Sequence, residues 1–76
     1  DLGVRYLKRL METFGSETQI GSRKTFPINS QSELEKVAVA AFNAGEGNVT
    51  AAQHRAFNQG LDPTSFSDIS RFLPKI

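Results

Sequence analysis

The chain has 76 residues, no cysteine and one histidine, with nine basic and eight acidic side chains. This length allows one small domain or part of one, because a short chain buries a low fraction of its surface. Without cysteines no disulfide framework forms, and a lone histidine argues against structural zinc, so we expect no metal and no cofactor. The mixed charges, with a net charge of +1, lack the dense basic run typical of proteins that bind nucleic acid.

No signal-peptide pattern opens the sequence. No apolar run approaches the roughly 20 residues that a membrane-spanning helix needs, so we expect no membrane segment in this chain. The sequence opens at Asp1 within a helical pattern and has no initiator methionine. We therefore expect a fragment or a processed product.

The first predicted helix has one apolar and one charged face. The apolar stripe, at i, i+3, i+4 and i+7 spacing, is Leu7, Leu10, Met11 and Phe14, and the opposite face carries Arg5, Lys8, Arg9 and Glu12. This pattern indicates an amphipathic helix, and we interpret its basic residues as a solvated face. Gly15 follows at the position of a left-handed C-cap, so the helix should end there.

A mostly polar segment at about residues 16–31 separates this helix from the second one. Gly21 and Pro27 interrupt any periodicity, which predicts a long irregular loop. Ser32 and Glu35 then form an S-x-x-E capping box, a signal for the start of a helix. The core stripe of this second helix is Leu34, Val37, Ala38 and Ala41, and Val39, Ala40 and Phe42 extend its apolar character. We expect a central helix packed on several sides.

Two further helices are predicted after the stretch N-A-G-E-G-N. Asn48 is positioned to cap a third helix that runs through Ala52 and Ala56 and ends at Gly60. Ser65 and Asp68 offer another cap, for a short fourth helix that carries Phe66, Ile69, Phe72 and Leu73 and ends at Pro74. The predicted fold class is all-α, with about four helices and a long loop after the first.

Three stretches of the sequence match motifs that occur together in one enzyme family. They are "GVRYLKRLMETFG", similar to G-x-x-Y-L-x-x-L-x-x-x-F, "AVAAFNAGEGNV", similar to A-x-A-Y-N-A-G-x-G-x-V, and the tail "AFNQGLDPTSFSDISRFLP". In these stretches the chain resembles bacterial lytic transglycosylases, lysozyme-like enzymes that cleave peptidoglycan. The resemblance covers residues 2–15 and about 34–74. Residues 16–33 do not match, and we interpret the loop at about 16–31 as an insertion.

The resemblance implies that residues 1–76 are the C-terminal part of a lysozyme-like catalytic domain, with Phe42, Asn43, Ala44 and Gly45 as substrate-binding residues. Phe42 would face a sugar, Asn43 would hold an N-acetyl group, and Gly45 and Gly47 would allow close approach of the backbone. The implied partners are peptidoglycan glycan strands and the remainder of the catalytic domain. The implied location is the periplasm or the cell envelope.

The chain departs from the family pattern at two points. The family usually has a tyrosine where Phe42 stands, so a hydroxyl near the catalytic acid is missing. Its catalytic glutamate lies in an E-S motif before the first helix, followed by a G-x-x-G-x-M-Q-like segment, and neither occurs here. Glu12 lies on the charged helix face, Glu33 and Glu35 belong to a helix start and Glu46 lies in the glycine turn, so none of them is assigned that role. We therefore expect no catalytic residue in this chain and an inactive isolated polypeptide.

The activity implied for the parent enzyme is cleavage between N-acetylmuramic acid and N-acetylglucosamine. One glutamate would protonate the glycosidic oxygen and then help the sugar's own 6-hydroxyl attack the anomeric carbon. The product would be 1,6-anhydromuramic acid. This differs from most glycosidases, which use two carboxylates.

Two other functions stay open from the residues. A non-catalytic peptidoglycan-binding or interaction module would keep the fold without the chemistry. A helix-turn-helix module would use the second and third helices to bind DNA, but the third helix offers only His54 and Arg55 as basic contacts, so we expect no nucleic acid. We interpret His54 as solvated or partly packed, because no serine, cysteine or carboxylate signature accompanies it.

Overall fold

The computed structural model describes residues 2–73 as four helices and one short hairpin. The helices are α1 (Leu2–Phe14), α2 (Gln31–Ala44), α3 (Glu46–Asn58) and α4 (Phe66–Ser70), and β1 (Gln19–Ile20) pairs antiparallel with β2 (Arg23–Lys24). Helix α2 is central, since it packs against the other three helices. The predicted all-α class is confirmed, whereas the hairpin was not predicted. The expected ends at Asp1 and Pro74 lie outside the described residues.

The hydrophobic core lies where the apolar stripes of the helices meet. Its fully buried side chains are Leu10 and Phe14 of α1, Val37, Ala38 and Ala41 of α2, Val49, Ala52 and Ala56 of α3, and Ile69 of α4. The burial of Leu10 and of the α2 residues agrees with the predicted stripes. Alanines at the centre let the helices approach closely, because their small side chains take up little space between neighbouring backbones.

The start of α2 is set by a different serine from the one predicted. Ser30 is the N-cap, and its hydroxyl accepts a hydrogen bond of 3.4 Å from the Glu33 amide. The S-x-x-E pattern occurs twice here, since Ser30 and Glu33 precede Ser32 and Glu35 by two residues. The helix begins at the first copy, which gives it two more residues of backbone hydrogen bonding. The prediction of Ser32 as the cap is therefore wrong.

Helix α3 begins at Glu46, two residues before the predicted Asn48 cap. A single residue, Gly45, separates it from α2, with φ +97° and ψ 144°, a conformation essentially restricted to glycine. Asn48 lies inside α3, where its Nδ2 donates to the Ala44 carbonyl at 2.7 Å. Asn48 thus satisfies a carbonyl at the end of α2, not an amide at the start of α3.

Helix α1 ends before Gly15, as predicted, but for another reason. Among the described residues, φ is positive only at Gly21, Gly45 and Gly60, so Gly15 is not a left-handed cap. A Cβ atom at Gly15 would lie 2.9 Å from the Met11 carbonyl oxygen. The position needs glycine because of close packing. Gly60, with φ +77°, does end α3 as predicted.

The segment between α1 and α2 is largely irregular, as expected, and buried polar groups fix it to the helices. The Thr25 hydroxyl accepts from the Thr18 amide at 2.9 Å and lies 3.2 Å from the Thr13 carbonyl of α1. Gln53 of α3 is fully buried; it accepts from the Phe26 amide and donates to the Phe26 and Pro63 carbonyls, at 3.2, 3.1 and 3.0 Å. One side chain therefore holds both this segment and the loop before α4.

Candidate functional site

The four residues expected to bind sugar form the C-terminal end of α2 and its junction with α3. Phe42 is 46% exposed, Asn43 is exposed, and Ala44 and Gly45 are half-buried. Consecutive helical residues project about 100° apart, so Phe42 and Asn43 present their side chains to adjoining parts of the surface. The helix end thus offers an aromatic ring and an amide next to each other.

Phe42 lies at an open groove of about 350 Å³ between α1 and α2. The groove is lined by Gly3, Val4 and Leu7 of α1 and by Val39 and Phe42 of α2. Val39 is 50% exposed, so the expectation that α2 is packed on several sides is wrong on this face. Val39 and Phe42 lie three residues apart on one face of α2, away from the buried Ala38 and Ala41 stripe.

Tyr6 of α1 stands beside Phe42 at this surface. The two ring centroids are 5.5 Å apart, the ring planes are tilted by 46°, and Tyr6 is 40% exposed. No other described residue hydrogen-bonds the Tyr6 hydroxyl. The residue was missed in the sequence, where it is the only tyrosine and directly precedes the core-facing Leu7. Its place as the tyrosine of the G-x-x-Y-L motif, and its position between the apolar stripe and the basic face, were the available signals.

The amide of Asn43 is only partly engaged by its own helix. Its Nδ2 donates to the Val39 carbonyl at 3.1 Å, while its Oδ1 accepts no hydrogen bond within the described residues. A side-chain amide has two N–H donors and an acceptor oxygen, so one donor and the acceptor remain available. An acetamido group presents the complementary pair, one N–H and one carbonyl.

Among residues 2–73, the groove lining contains no carboxyl group. Glu33, elsewhere on α2, accepts from the Phe66 amide and from Lys36, and these bonds, the first being the larger cause, hold its pKa below the usual range. The Thr64 hydroxyl and amide likewise lower the pKa of Asp62. A glycosidic acid needs a raised pKa in an apolar setting, so both carboxyls are shifted in the wrong direction for that role.

The remaining candidates have structural partners or lie in solvent. His54 is partly packed, as interpreted: its Nε2 is 2.8 Å from the Lys24 carbonyl, and its ring contacts Phe26. The basic residues Arg5, Lys8 and Arg9 are all exposed. Within residues 2–73, no three His, Asp or Glu side chains come together as metal ligands would. No helix in this part of the chain is long and apolar enough to cross a bilayer.

Comparison with known proteins connects this chain to one kind of enzyme. No family model and no solved structure matches it. It is 34% identical, over 76 aligned positions and 97% of its own length, to a protein named membrane-bound lytic murein transglycosylase F from the classical Ogawa strain of Vibrio cholerae serotype O1. The same values hold for the protein of that name from the El Tor Inaba strain. The chain spans about 12% of the length of these relatives, and the match supports a relation of this stretch to lytic murein transglycosylases.

Proposed function

We propose that this chain is part of a peptidoglycan lytic transglycosylase and that it supplies sugar-binding cleft wall without the catalytic glutamate. The observation that carries the proposal is the pairing, at the end of α2, of the exposed Phe42 ring with the partly free Asn43 amide. The relatives' name, lytic murein transglycosylase, supports the same class of substrate. The parent enzyme would cleave between N-acetylmuramic acid and N-acetylglucosamine and form the 1,6-anhydro product.

Each residue of the site has a separate task. A pyranose ring has an apolar C–H face, which stacks on the Phe42 ring and leaves its hydroxyls in water. The Oδ1 atom of Asn43 accepts from the acetamido N–H, and its free amide hydrogen donates to the acetamido carbonyl. Ala44 and Gly45 keep this end of α2 free of large side chains, so a glycan approaches the backbone.

The groove contributes to the chemistry through its polarity. Val4, Leu7 and Val39 form an apolar wall, and a carboxyl group brought against such a wall loses hydration. Loss of hydration disfavours the charged form and raises the pKa, as a glycosidic acid requires. The wall therefore favours the protonated state of a glutamate that the remainder of the catalytic domain would supply.

The remainder of the catalytic domain is also the partner that this surface fits. Exposed apolar side chains grouped along one groove mark interaction sites in soluble proteins. Val4 and Val39 are 59% and 50% exposed and would be covered by that domain, while Phe42 would stay open to the glycan. A protein with this substrate acts in the periplasm or the cell envelope, where peptidoglycan lies.

A non-catalytic peptidoglycan-binding module is the second candidate, and the described part of the groove lining favours it, because that part has no carboxyl group. The helix-turn-helix alternative fits less well. That motif joins its helices by a turn of about three to four residues, whereas Gly45 alone joins α2 to α3. His54, one of the two basic candidates on α3, is bonded to the Lys24 carbonyl.

The direct test is a titration of isotope-labelled protein with N-acetylglucosamine oligomers, followed by NMR. Amides of residues 42–47 should shift before those of the Arg5, Lys8 and Arg9 face. Because this chain supplies only part of the proposed cleft, the dissociation constant should be in the millimolar range. This corresponds to a binding free energy of about −4 kcal/mol. Asn43→Ala should abolish the response, and Asn58→Ala, at an exposed asparagine of α3, should leave it unchanged.

Two results of this titration would contradict the proposal. One is a full response from Asn43→Ala, because it would show that the proposed contact between Asn43 and the acetamido group is not needed for binding. The other is an absence of sugar shifts together with salt-sensitive shifts of the α3 amides on addition of duplex DNA, as the helix-turn-helix alternative requires.

A further inference from the structure

We propose that the C-terminal end of α3 is a second binding site for N-acetylated sugars, built from Phe57, Asn58 and Phe26. The class of ligand rests on the proposed function, which places such a sugar at the end of α2. That function gives no role to the end of α3 or to the segment between α1 and α2. The second site is therefore an additional one on the same chain.

The observation that carries the inference is a repeated short sequence. The pattern A-F-N-x-G occurs twice, as residues 41–45 and residues 56–60. Each copy lies at the C-terminal end of a helix, and its glycine has a positive φ, +97° at Gly45 and +77° at Gly60. In both copies the alanine is fully buried and the phenylalanine is exposed, by 46% in the first and 57% in the second. The end of α3 thus presents the same two groups as the end of α2, an aromatic ring and an exposed amide on adjoining residues.

A second aromatic ring lies beside Phe57. It belongs to Phe26, whose ring centroid is 5.2 Å from that of Phe57, with the ring planes tilted by 33°. Two neighbouring rings offer a wider apolar surface than one, which suits the C–H face of a pyranose ring. Phe26 lies in the segment at about residues 16–31 that was interpreted as an insertion, so this segment supplies one wall of the second site.

Hydrogen bonds to α3 hold Phe26 in place. Gln53 accepts from the Phe26 amide at 3.2 Å and donates to the Phe26 carbonyl at 3.1 Å. The Phe26 ring also contacts the ring of His54, with the centroids 4.9 Å apart. The two phenylalanine rings are therefore positioned before a ligand arrives, which lowers the ordering cost of binding.

The side-chain amide of Asn58 supplies the polar contact. Neither its Nδ2 nor its Oδ1 makes a hydrogen bond within residues 2–73. Two N–H donors and an acceptor oxygen are therefore available, one donor more than at Asn43, whose Nδ2 is bonded to the Val39 carbonyl. An acetamido group uses one donor and the acceptor. Because no contact in this part of the chain depends on the Asn58 amide, its removal tests binding without disturbing the fold.

The two sites lie at opposite ends of α3. Gly45 precedes this helix and Asn58 is its last residue, and a helix of 13 residues is roughly 20 Å long. A disaccharide is shorter than this distance, so one molecule does not reach both sites. Shifts at each end of α3 then report on that site alone.

The test is a titration of the isotope-labelled chain with the N-acetylglucosamine disaccharide, followed by NMR. The amides of residues 57–61 should shift as a second group, in addition to those of residues 42–47. Asn58→Ala should raise the dissociation constant measured from the second group at least about tenfold, the effect of two neutral hydrogen bonds, and should leave the first group unchanged. Asn29→Ala, at an exposed asparagine outside both helix ends, is the matched control and should bind as the wild type does.

A second ligand checks the role of the acetamido group. Cellobiose has the same pyranose rings without acetamido groups, so it should shift the amides of residues 57–61 far less than the N-acetylated disaccharide does. An equal response to cellobiose, or a full response of these amides in Asn58→Ala, refutes the second site.

The two groups of amides also separate this inference from the proposed function. If residues 42–47 shift and residues 57–61 do not, the second site is refuted and the proposed function stands. If only residues 57–61 shift, the second site stands and the site at the end of α2 is refuted. If neither group shifts, both are refuted.

Discussion

Glu33 of α2 caps α4 from a distance of 33 residues in the chain: its Oε1 accepts a hydrogen bond of 2.8 Å from the main-chain amide of Phe66. Phe66 is the first residue of α4, and the side chain of Ser65, the expected cap, makes no such bond. Lys36 lies 3.3 Å from the other carboxylate oxygen. The short last helix is thus tied to the central one by a charge-assisted hydrogen bond, which is stronger than a neutral one.

This bond predicts a specific pH dependence of stability. The Phe66 amide, followed by Lys36, lowers the pKa of Glu33 in the folded state, so the folded state favours the carboxylate. A carboxyl with a depressed folded pKa stabilises above its ordinary pKa of 4.5 and loses this contribution as the pH falls through the folded value. We expect Glu33→Gln to be less stable than the wild type at pH 7, and the difference to shrink below pH 4.5.

Chemical denaturation of both proteins across this pH range measures the difference directly. Glu35→Gln is the matched control, because Glu35 is exposed and its one partner within residues 2–73 is Gln31 at 3.5 Å. The control should follow the wild type at every pH. A constant gap between Glu33→Gln and the wild type down to pH 2 would show that the charge of Glu33 is not what stabilises α4.

Leu10→Ala tests the shared core of α1 and α2. Leu10 is fully buried, and its truncation should lower the free energy of unfolding by about 2–5 kcal/mol, through lost burial and the cavity left behind. Leu2→Ala, at a leucine that is 82% exposed in the same helix, should cost no more than about 0.5 kcal/mol. Equal effects of the two substitutions, measured by urea denaturation, would contradict the orientation of α1.

The residues that sequence reasoning located correctly are those whose periodicity alone determines their environment. Leu10, Val37 and Ala41 recur at helical spacing, so their burial follows from the pattern once the helices exist. Gly60 likewise needs only its local position after α3. For such residues, the neighbouring sequence alone is enough to predict burial or helix termination.

The features that were missed depend on contacts between distant parts of the chain. Glu33 was interpreted as part of its own helix start, but its partner is Phe66. Val39 and Tyr6 were not distinguishable from buried or solvated positions, because exposure depends on which neighbours cover α2 and not on periodicity. Asn48 fits the pattern of a cap, yet Gly45 starts the helix first. In such cases one local sequence pattern is compatible with several structures, and tertiary contacts determine which structure forms.

Gln53 is the clearest of these distant contacts and supports a further prediction. Its buried amide makes three hydrogen bonds, to both main-chain groups of Phe26 and to the Pro63 carbonyl. Gln53→Met keeps the approximate size of the side chain but leaves these main-chain groups unpaired. The free energy of unfolding should therefore fall by at least about 2 kcal/mol. Thermal melts should show no comparable loss for Gln59→Met, because Gln59 is exposed. A stable Gln53→Met protein would mean that water replaces the amide.

The two glycines at the junction of α2 and α3 should respond in opposite ways to alanine. Gly45 has φ +97°, so Gly45→Ala strains the backbone and should cost about 1–3 kcal/mol. Gly47 lies within α3, and a Cβ atom there meets nothing within 4 Å. Gly47→Ala should therefore stabilise the protein by about 0.5–1 kcal/mol, since alanine is the better helix former. Destabilisation by both, measured by denaturant titration, would contradict the start of α3 at Glu46.

The last prediction concerns catalysis by the isolated chain. Incubation of the pure polypeptide with peptidoglycan should release no 1,6-anhydro-muropeptides, because protonation of the glycosidic oxygen needs a carboxylic acid and the groove lining has none among the residues that the structure describes. Mass spectrometry of the soluble products checks this, with an intact lytic transglycosylase as the positive control. Reproducible release of the anhydro product would require a glutamate of this chain to act as the acid. The conservative variants Glu12→Gln, Glu17→Gln, Glu33→Gln, Glu35→Gln and Glu46→Gln would then identify it, since only the variant that lacks the acid should lose the activity.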